Sequence, residues 1–181
     1  MGKLVSSTYG DALFAVALEE NRLDEFFDAG KILVDILQSN EDLRQFLHHP
    51  KIIREEKVRM IEDTFEGRIP KEMVGILVLM ISKGRIGEMA SVLEHFLNLV
   101  KEEKKIGQAD VTTAVELNDL QKSKIEEKLL ETTKYESFEC TYHVDKALIG
   151  GMVIRIGDRV VDSSIKTKLY DLTRELRKIQ V

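Results

Sequence analysis

Apolar positions recur at helical intervals through the first hundred residues and then change period. Tyr9, Leu13, Val16 and Ala17 share one face of an amphipathic helix over 7–20, with Ser6 or Ser7 placed to cap it. Leu23, Phe26, Phe27, Leu33, Val34 and Leu37 predict a second helix. Asn40 followed by Glu41 and Asp42 reads as the start of a third, with Leu43, Phe46 and Leu47 on its apolar side and Pro50 ending it. Val58, Ile61 and Phe65 mark a fourth, opening near Ile53. Pro70 suits the first turn of a fifth, whose run from Met73 to Ile81 is apolar nearly all round and predicts a central place in a bundle. Gly84 breaks it. Ile86, Met89, Leu93, Phe96, Leu97 and Val100 form a long sixth helix, with Gly107 as its C-terminal stop.

After residue 107 the period drops to two. Ala109, Val111, Thr113 and Val115 alternate as in a strand. Asn118 with Gln121 has the form of a capping box and opens a helix carrying Ile125 and Leu129. Phe138, Cys140, Tyr142 and Val144 alternate again. The stretch "GMVIRIGDRVV" reads as two short strands about Gly157-Asp158. Ser163 or Ser164 caps a last helix in which Ile165, Leu169, Leu172, Leu176 and Ile179 form a narrow apolar stripe. That stripe suits packing on the chain's own sheet or on a partner helix. The period switch divides the chain into an N-terminal six-helix bundle, 1–106, and a small α+β domain, 107–181, a mainly α protein.

Of the 181 residues, 43% are hydrophobic and 33% charged, enough apolar surface for packed cores. The net charge of −5 argues against nucleic acid as a partner, which calls for a basic field. No apolar run reaches the roughly 18 residues of a membrane span, so direct membrane insertion is not expected. The single cysteine, Cys140, excludes an intrachain disulfide. It falls in phase with Phe138 and Tyr142 and reads as a small buried hydrophobe, with His143 on the opposite strand face. His48 and His49 are adjacent, diverge by about 100° on a helix, and have no cysteine nearby to complete a metal site. No catalytic residue, metal site or cofactor site is predicted.

The segment "ALIGGMVIRIGDRVVDSSIKTKL" raises the question of a phosphate loop. It lacks the Lys-Ser/Thr ending, and it runs into an apolar strand where such a loop runs into a helix. The plainer reading is conformational: Gly150 and Gly151 turn the chain sharply into the strand, and Gly157 supplies a positive φ in the hairpin.

The same residues carry a family resemblance. "VDKALIGGMVIRIGDRVVDSSIKTKLYDLTREL" resembles the C-terminal signature of the delta subunit of bacterial rotary (F-type) ATP synthase, related to the mitochondrial oligomycin-sensitivity-conferring protein. "YGDALFAVALEE", "FLHHPKIIREEKVRMIEDTF", "LMISKGRIGEMASVLEHF" and "ADVTTAVELNDLQKSKIEEKL" follow in the family's order, so the resemblance covers nearly the whole chain. Two positions depart from it. Ser163 stands where a Gly usually precedes the last helix, and Gly10 where the first helix usually has Ala. The glycine implies a close contact with another helix or a bound peptide.

The resemblance implies a non-catalytic stator connector on the cytoplasmic face of the bacterial plasma membrane, monomeric when isolated, in a complex that couples proton transport to ATP synthesis. The N-terminal bundle would hold the N-terminus of an alpha subunit in a groove of its first and fifth helices, which points to Tyr9, Ala12, Val16, Val74 and Val78. The C-terminal domain would hold the b subunits of the peripheral stalk, with Ile165, Leu169, Leu172 and Leu176 available for b or for internal packing. Two other readings stay open: a helical adaptor with a different partner, and a small-molecule enzyme built on the Gly150-Gly151 turn.

Overall fold

A computed structural model describes the backbone of residues 2–179 and the side chains of 4–176. Among these residues are eight α-helices and one four-stranded sheet. The chain divides into two compact units between Lys101 and Glu102, within the last turns of the sixth helix.

The first unit contains α1 (Gly2–Glu19), α2 (Leu23–Ser39), α3 (Glu41–His48), α4 (Arg54–Phe65), α5 (Lys71–Ser82) and most of α6 (Met89–Glu103). All six contribute to one core, including Leu13, Phe26, Leu47, Ile61, Leu77 and Phe96. α1 begins earlier than its apolar pattern predicts. Ser6 and Ser7 do not cap it. They lie inside the helix, where the Ser7 and Thr8 hydroxyls donate back to the Leu4 carbonyl at 3.1 and 2.8 Å, a known alternative for hydroxyl side chains. Asn21, at φ 55°, ends α1, with the Arg22 N–H returning to the Ala17 carbonyl. Asn40 caps α3 as expected, its side chain accepting from the Leu43 N–H at 3.0 Å. Pro70 precedes the first helical residue of α5 and does not occupy it. α5 is not buried all round. Met73, Val74, Leu77, Met80 and Ile81 enter the core, whereas Gly75, Leu79 and Ser82 face outward. Gly84, at φ 68°, does break α5. The helix expected from Ile86 starts at Met89, after a short 3-10 turn, Ile86–Glu88.

Gly10 is buried because α6 passes close to it. A Cβ there would lie 2.6 Å from His95 Cδ2 and 3.2 Å from the Val92 carbonyl oxygen. One residue on, Asp11 Oδ1 lies 2.8 Å from His95 Nε2. The close helix contact expected of this glycine is therefore with α6.

The second unit holds β1 (Ile106–Thr113), α7 (Asp119–Thr132), β2 (Ser137–Val144), β3 (Met152–Ile156), β4 (Arg159–Asp162) and α8 (Ile165–Ile179). Gly107 does not stop α6. Lys105, at φ 52°, turns the chain, and Gly107 is already in β1, where the Phe138 ring covers it. The sheet order is β2-β1-β3-β4. β1 pairs parallel to β2 across the α7 crossover, and β3 pairs antiparallel with both β1 and β4. The capping box at the start of α7 is complete: Asn118 accepts from the Gln121 N–H at 2.9 Å, and the Gln121 side chain accepts from the Asn118 N–H at 3.0 Å. β1 ends at Thr113, so Val115 lies beyond it and is exposed. Val144, at the end of β2, is exposed too, although it is in phase with Tyr142.

Candidate docking surfaces

Among the described residues, no group of three or more His, Cys, Asp or Glu could hold a metal ion. His48 ends α3 with Nδ1 2.9 Å from the Arg44 carbonyl, and His49 is the residue after it. Cys140 is partly buried in the second core, beside Phe138 and Tyr142. Burial pushes its thiol pKa up, against the opposing effect of its contact with Tyr142. That is the wrong direction for a nucleophile. Tyr142 is shifted up as well, first by burial and then by Cys140 and by Glu126, which accepts its hydroxyl at 3.2 Å.

The diglycine is built into a junction. Gly151 has φ 75°, and a Cβ there would lie 2.5 Å from the Ser163 carbonyl oxygen and 3.1 Å from Ser164 Cα. Gly150 has no positive φ; its carbonyl accepts from the Ile165 N–H at 2.9 Å, and a Cβ on it would meet the end of the Ile165 side chain. The Met152 carbonyl accepts from both the N–H and the hydroxyl of Ser163, each at 2.9 Å. The turn therefore presses against the β4–α8 connection and fixes where α8 starts. Ser164, not Ser163, caps α8, its hydroxyl accepting from the Thr167 N–H at 3.2 Å. Asp162 adds a second clasp, accepting from the Ser164 N–H at 2.8 Å and the Thr167 hydroxyl at 2.7 Å. These bonds, the Ser164 N–H foremost, hold the Asp162 carboxyl below its ordinary pKa. Gly157 sits in the β3–β4 hairpin at φ 55°.

Two helical surfaces stand out. On the first unit α1 and α5 are in contact. Tyr9, Ala12 and Val16 follow one another at three- and four-residue intervals on α1. Ala12 is exposed, and Tyr9, Val16 and Val78 are half-buried against the core. Val74 is only 9% exposed and belongs to the core itself. The run from Met73 to Ile81 is apolar nearly all round, so its period could not separate Val74 from Val78.

On the second unit, α8 presents its apolar stripe to solvent. Ile165, Leu169, Leu172 and Leu176 are 43, 49, 56 and 63% exposed. α8 is held at its root by the short turn Lys146–Leu148, and the stripe keeps about half of its surface open. The Ile179 side chain lies outside the described residues. Beside α7 the same unit has an open groove of about 640 Å³, lined by apolar residues of α7, β3 and β4 and by Lys124, Lys128 and Arg159. Sequence reasoning missed it, since no linear pattern joins those elements.

Each unit buries its own apolar cluster, and the stripe of α8 stays exposed. Residues 5–176 match the family "ATP synthase delta (OSCP) subunit". The chain is 49% identical to the ATP synthase subunit delta of Lachnoclostridium phytofermentans over the full length of both chains. It is 33% identical to that of Acetivibrio thermocellus, over 96% of this chain and 98% of the relative. A chain of the Toxoplasma gondii mitochondrial ATP synthase hexamer shares the fold, with a TM-score of 0.77 and 19% identity, over 94% of this chain and 96% of that one. The chain belongs to the ATP synthase delta (OSCP) subunit family. It is a structural subunit of the F-type ATP synthase and not a catalytic one. No helix among the described residues is long and apolar enough to cross a membrane.

Proposed function

We infer that the chain is the stator connector of its synthase, tying the peripheral stalk to the catalytic head. In this reading the first unit folds as an independent six-helix bundle and receives the N-terminus of an alpha subunit along α1 and α5. The second unit receives the b subunits, and the assembly sits at the cytoplasmic face of the bacterial membrane. Rotation driven by protons exerts torque on the head, and a connector resists it by affinity and stiffness alone. The observation that carries the reading is the exposed stripe of α8: four apolar residues at helical spacing, held at a fixed root by Gly150, Gly151 and Asp162. A helix presented this way suits pairing with another helix. Affinity purification of the tagged chain from gently solubilised membranes tests the reading. Alpha and b should be recovered together. Their absence, with some other protein enriched, would favour an adaptor of different allegiance.

A further inference from the structure

The sheet of the second unit has two edges of different character. In the order β2-β1-β3-β4, β4 forms one of them. It is four residues long, and the chain passes from it into the clasped root of α8. β2 forms the other. It runs eight residues, Ser137–Val144, in unbroken register with β1, and no described strand pairs with its far side. Natural sheets guard such an edge with a lysine, a proline or a bulge, because its free N–H and C=O groups are a template for another chain. The β2 sequence "SFECTYHV" has neither lysine nor proline, and its register with β1 has no bulge.

The pleat determines which backbone groups are free. Just past β2, the Asp145 N–H bonds to the Thr113 carbonyl at 2.8 Å. By alternation, the N–H and C=O of Ser137, Glu139, Thr141 and His143 face β1, and those of Phe138, Cys140, Tyr142 and Val144 face off the sheet. The other end of the sheet gives the same phase. The Ser163 N–H bonds to the Met152 carbonyl, which turns the even residues of β3 toward β4. Through the pairing of Thr112 with Val153 and of Asp110 with Arg155, the odd residues of β1 then face β2. The side chains of the edge alternate as well. Phe138, Cys140 and Tyr142 are half-buried on the α7 side. On the opposite face Glu139 is exposed, and so is Asp110, which sits on β1 beside Thr141. That face of the edge is acidic.

We propose that the β2 edge takes an extended segment of a partner chain as a fifth strand, with apolar residues on its α7 side and Lys or Arg on the other. The outward backbone groups supply the hydrogen bonds, and alternate side chains supply the selection. The apolar residues lie beside Phe138, Cys140 and Tyr142, and the cations meet Glu139 and Asp110. One contact thus covers both a row of unpaired polar groups and the open margin of the apolar cluster. The surface is separate from the stripe of α8, and it takes a strand, not a helix. It does not depend on the connector reading.

The test uses the full chain and a synthetic peptide of the edge's own length, with Val at alternate positions and Lys between them. On binding, the amide hydrogens of Phe138, Cys140, Tyr142 and Val144 should exchange more slowly. Those of Ser137, Glu139, Thr141 and His143, already bonded within the sheet, should change little. Methylating alternate backbone nitrogens of the peptide, in the phase that faces the edge, should weaken binding by about tenfold or more, since it removes donors and leaves every side chain. A peptide with Glu in place of Lys should bind more weakly, and Glu139→Lys should narrow or reverse that preference. Val144→Pro deletes an outward N–H that the sheet does not use, so it should weaken the peptide at an unchanged melting temperature. Should that variant melt lower, the methylated peptide, tested on the unaltered chain, decides the case. No binding, binding that survives methylation in either phase, equal binding of the Lys and Glu peptides, or protection elsewhere than at the outward amides overturns the proposal. A dimer of the chain alone that protects the same amides gives the edge to a second copy and also overturns it.

Discussion

The two units use their apolar residues in opposite ways. In the first, every helix sends side chains into a shared core, and the larger ones, such as Phe26, Leu77 and Phe96, are almost wholly buried. In the second, the buried cluster is small, Ala109, Val111, Ile125 and Leu129, while β4 and the stripe of α8 lie in solvent. A finished core stabilises the unit that owns it. An unfinished one leaves apolar area to be buried in a complex, where each fully covered Leu contributes on the order of 1.5–3 kcal/mol. The first unit buries its apolar residues within itself; the second keeps apolar area that another chain can cover.

The strongest way to break this contrast is at Gly151. Valine there meets a positive φ and a carbonyl oxygen 2.5 Å from its Cβ. Gly151→Val should cost more than about 3 kcal/mol, unfolding the second unit and abolishing b binding while the helical signal of the first persists. Calorimetry with two resolved transitions reads this directly. A variant that melts normally and still binds b would remove the structural role given to the turn.

A paired substitution sharpens the contrast at intermediate size. Leu77 is 1% exposed in the first core, so Leu77→Ala should lower stability by about 2–5 kcal/mol. Leu172→Asp, on the open stripe, should change stability by no more than about 0.5 kcal/mol and instead cut b affinity at least tenfold. Chemical denaturation beside a b-binding assay checks both. Equal destabilisation by the two would mean that α8 is packed in solution.

The smallest effect belongs to Asp162. Its pKa is held below the ordinary value of 3.8, so its clasp on α8 contributes in full above pH 3.8 and is lost as pH falls through the lower, folded value. Asp162→Asn should reduce the melting temperature of the second unit slightly at neutral pH and remove that part of its acid sensitivity. An identical acid profile in the variant would dismiss the clasp.

What the sequence revealed depended on how local each signal was. The capping box of Asn118 and Gln121, the cap at Asn40 and the hairpin at Gly157 are set by residues a few positions apart, and each formed as read. Lys105 took the left-handed turn that Gly107 was expected to take, because a lysine at positive φ leaves no signature in sequence. Ser6 and Ser7 have the form of caps, but both lie inside α1, where the Ser7 hydroxyl bonds back to the Leu4 carbonyl. The stripe of α8 could be read as a helix face, yet periodicity cannot say what covers a face. The basic groove draws on α7, β3 and β4 together and exists only once the sheet is folded. Of the expected alpha-binding set, Val74 turned inward: the run from Met73 to Ile81 is apolar nearly all round, so its period could not separate Val74 from Val78.

The central claim is that one chain holds two partners on separate surfaces. Its most direct test is a binding measurement on the full chain with an alpha N-terminal peptide and the soluble b segment, each titrated with and without a saturating amount of the other. The account predicts a ternary complex, with each affinity unchanged by the second ligand. Val78→Asp should weaken only the peptide and Leu172→Asp only b. Mutual exclusion of the two ligands, or failure of the folded chain to bind either, would contradict it.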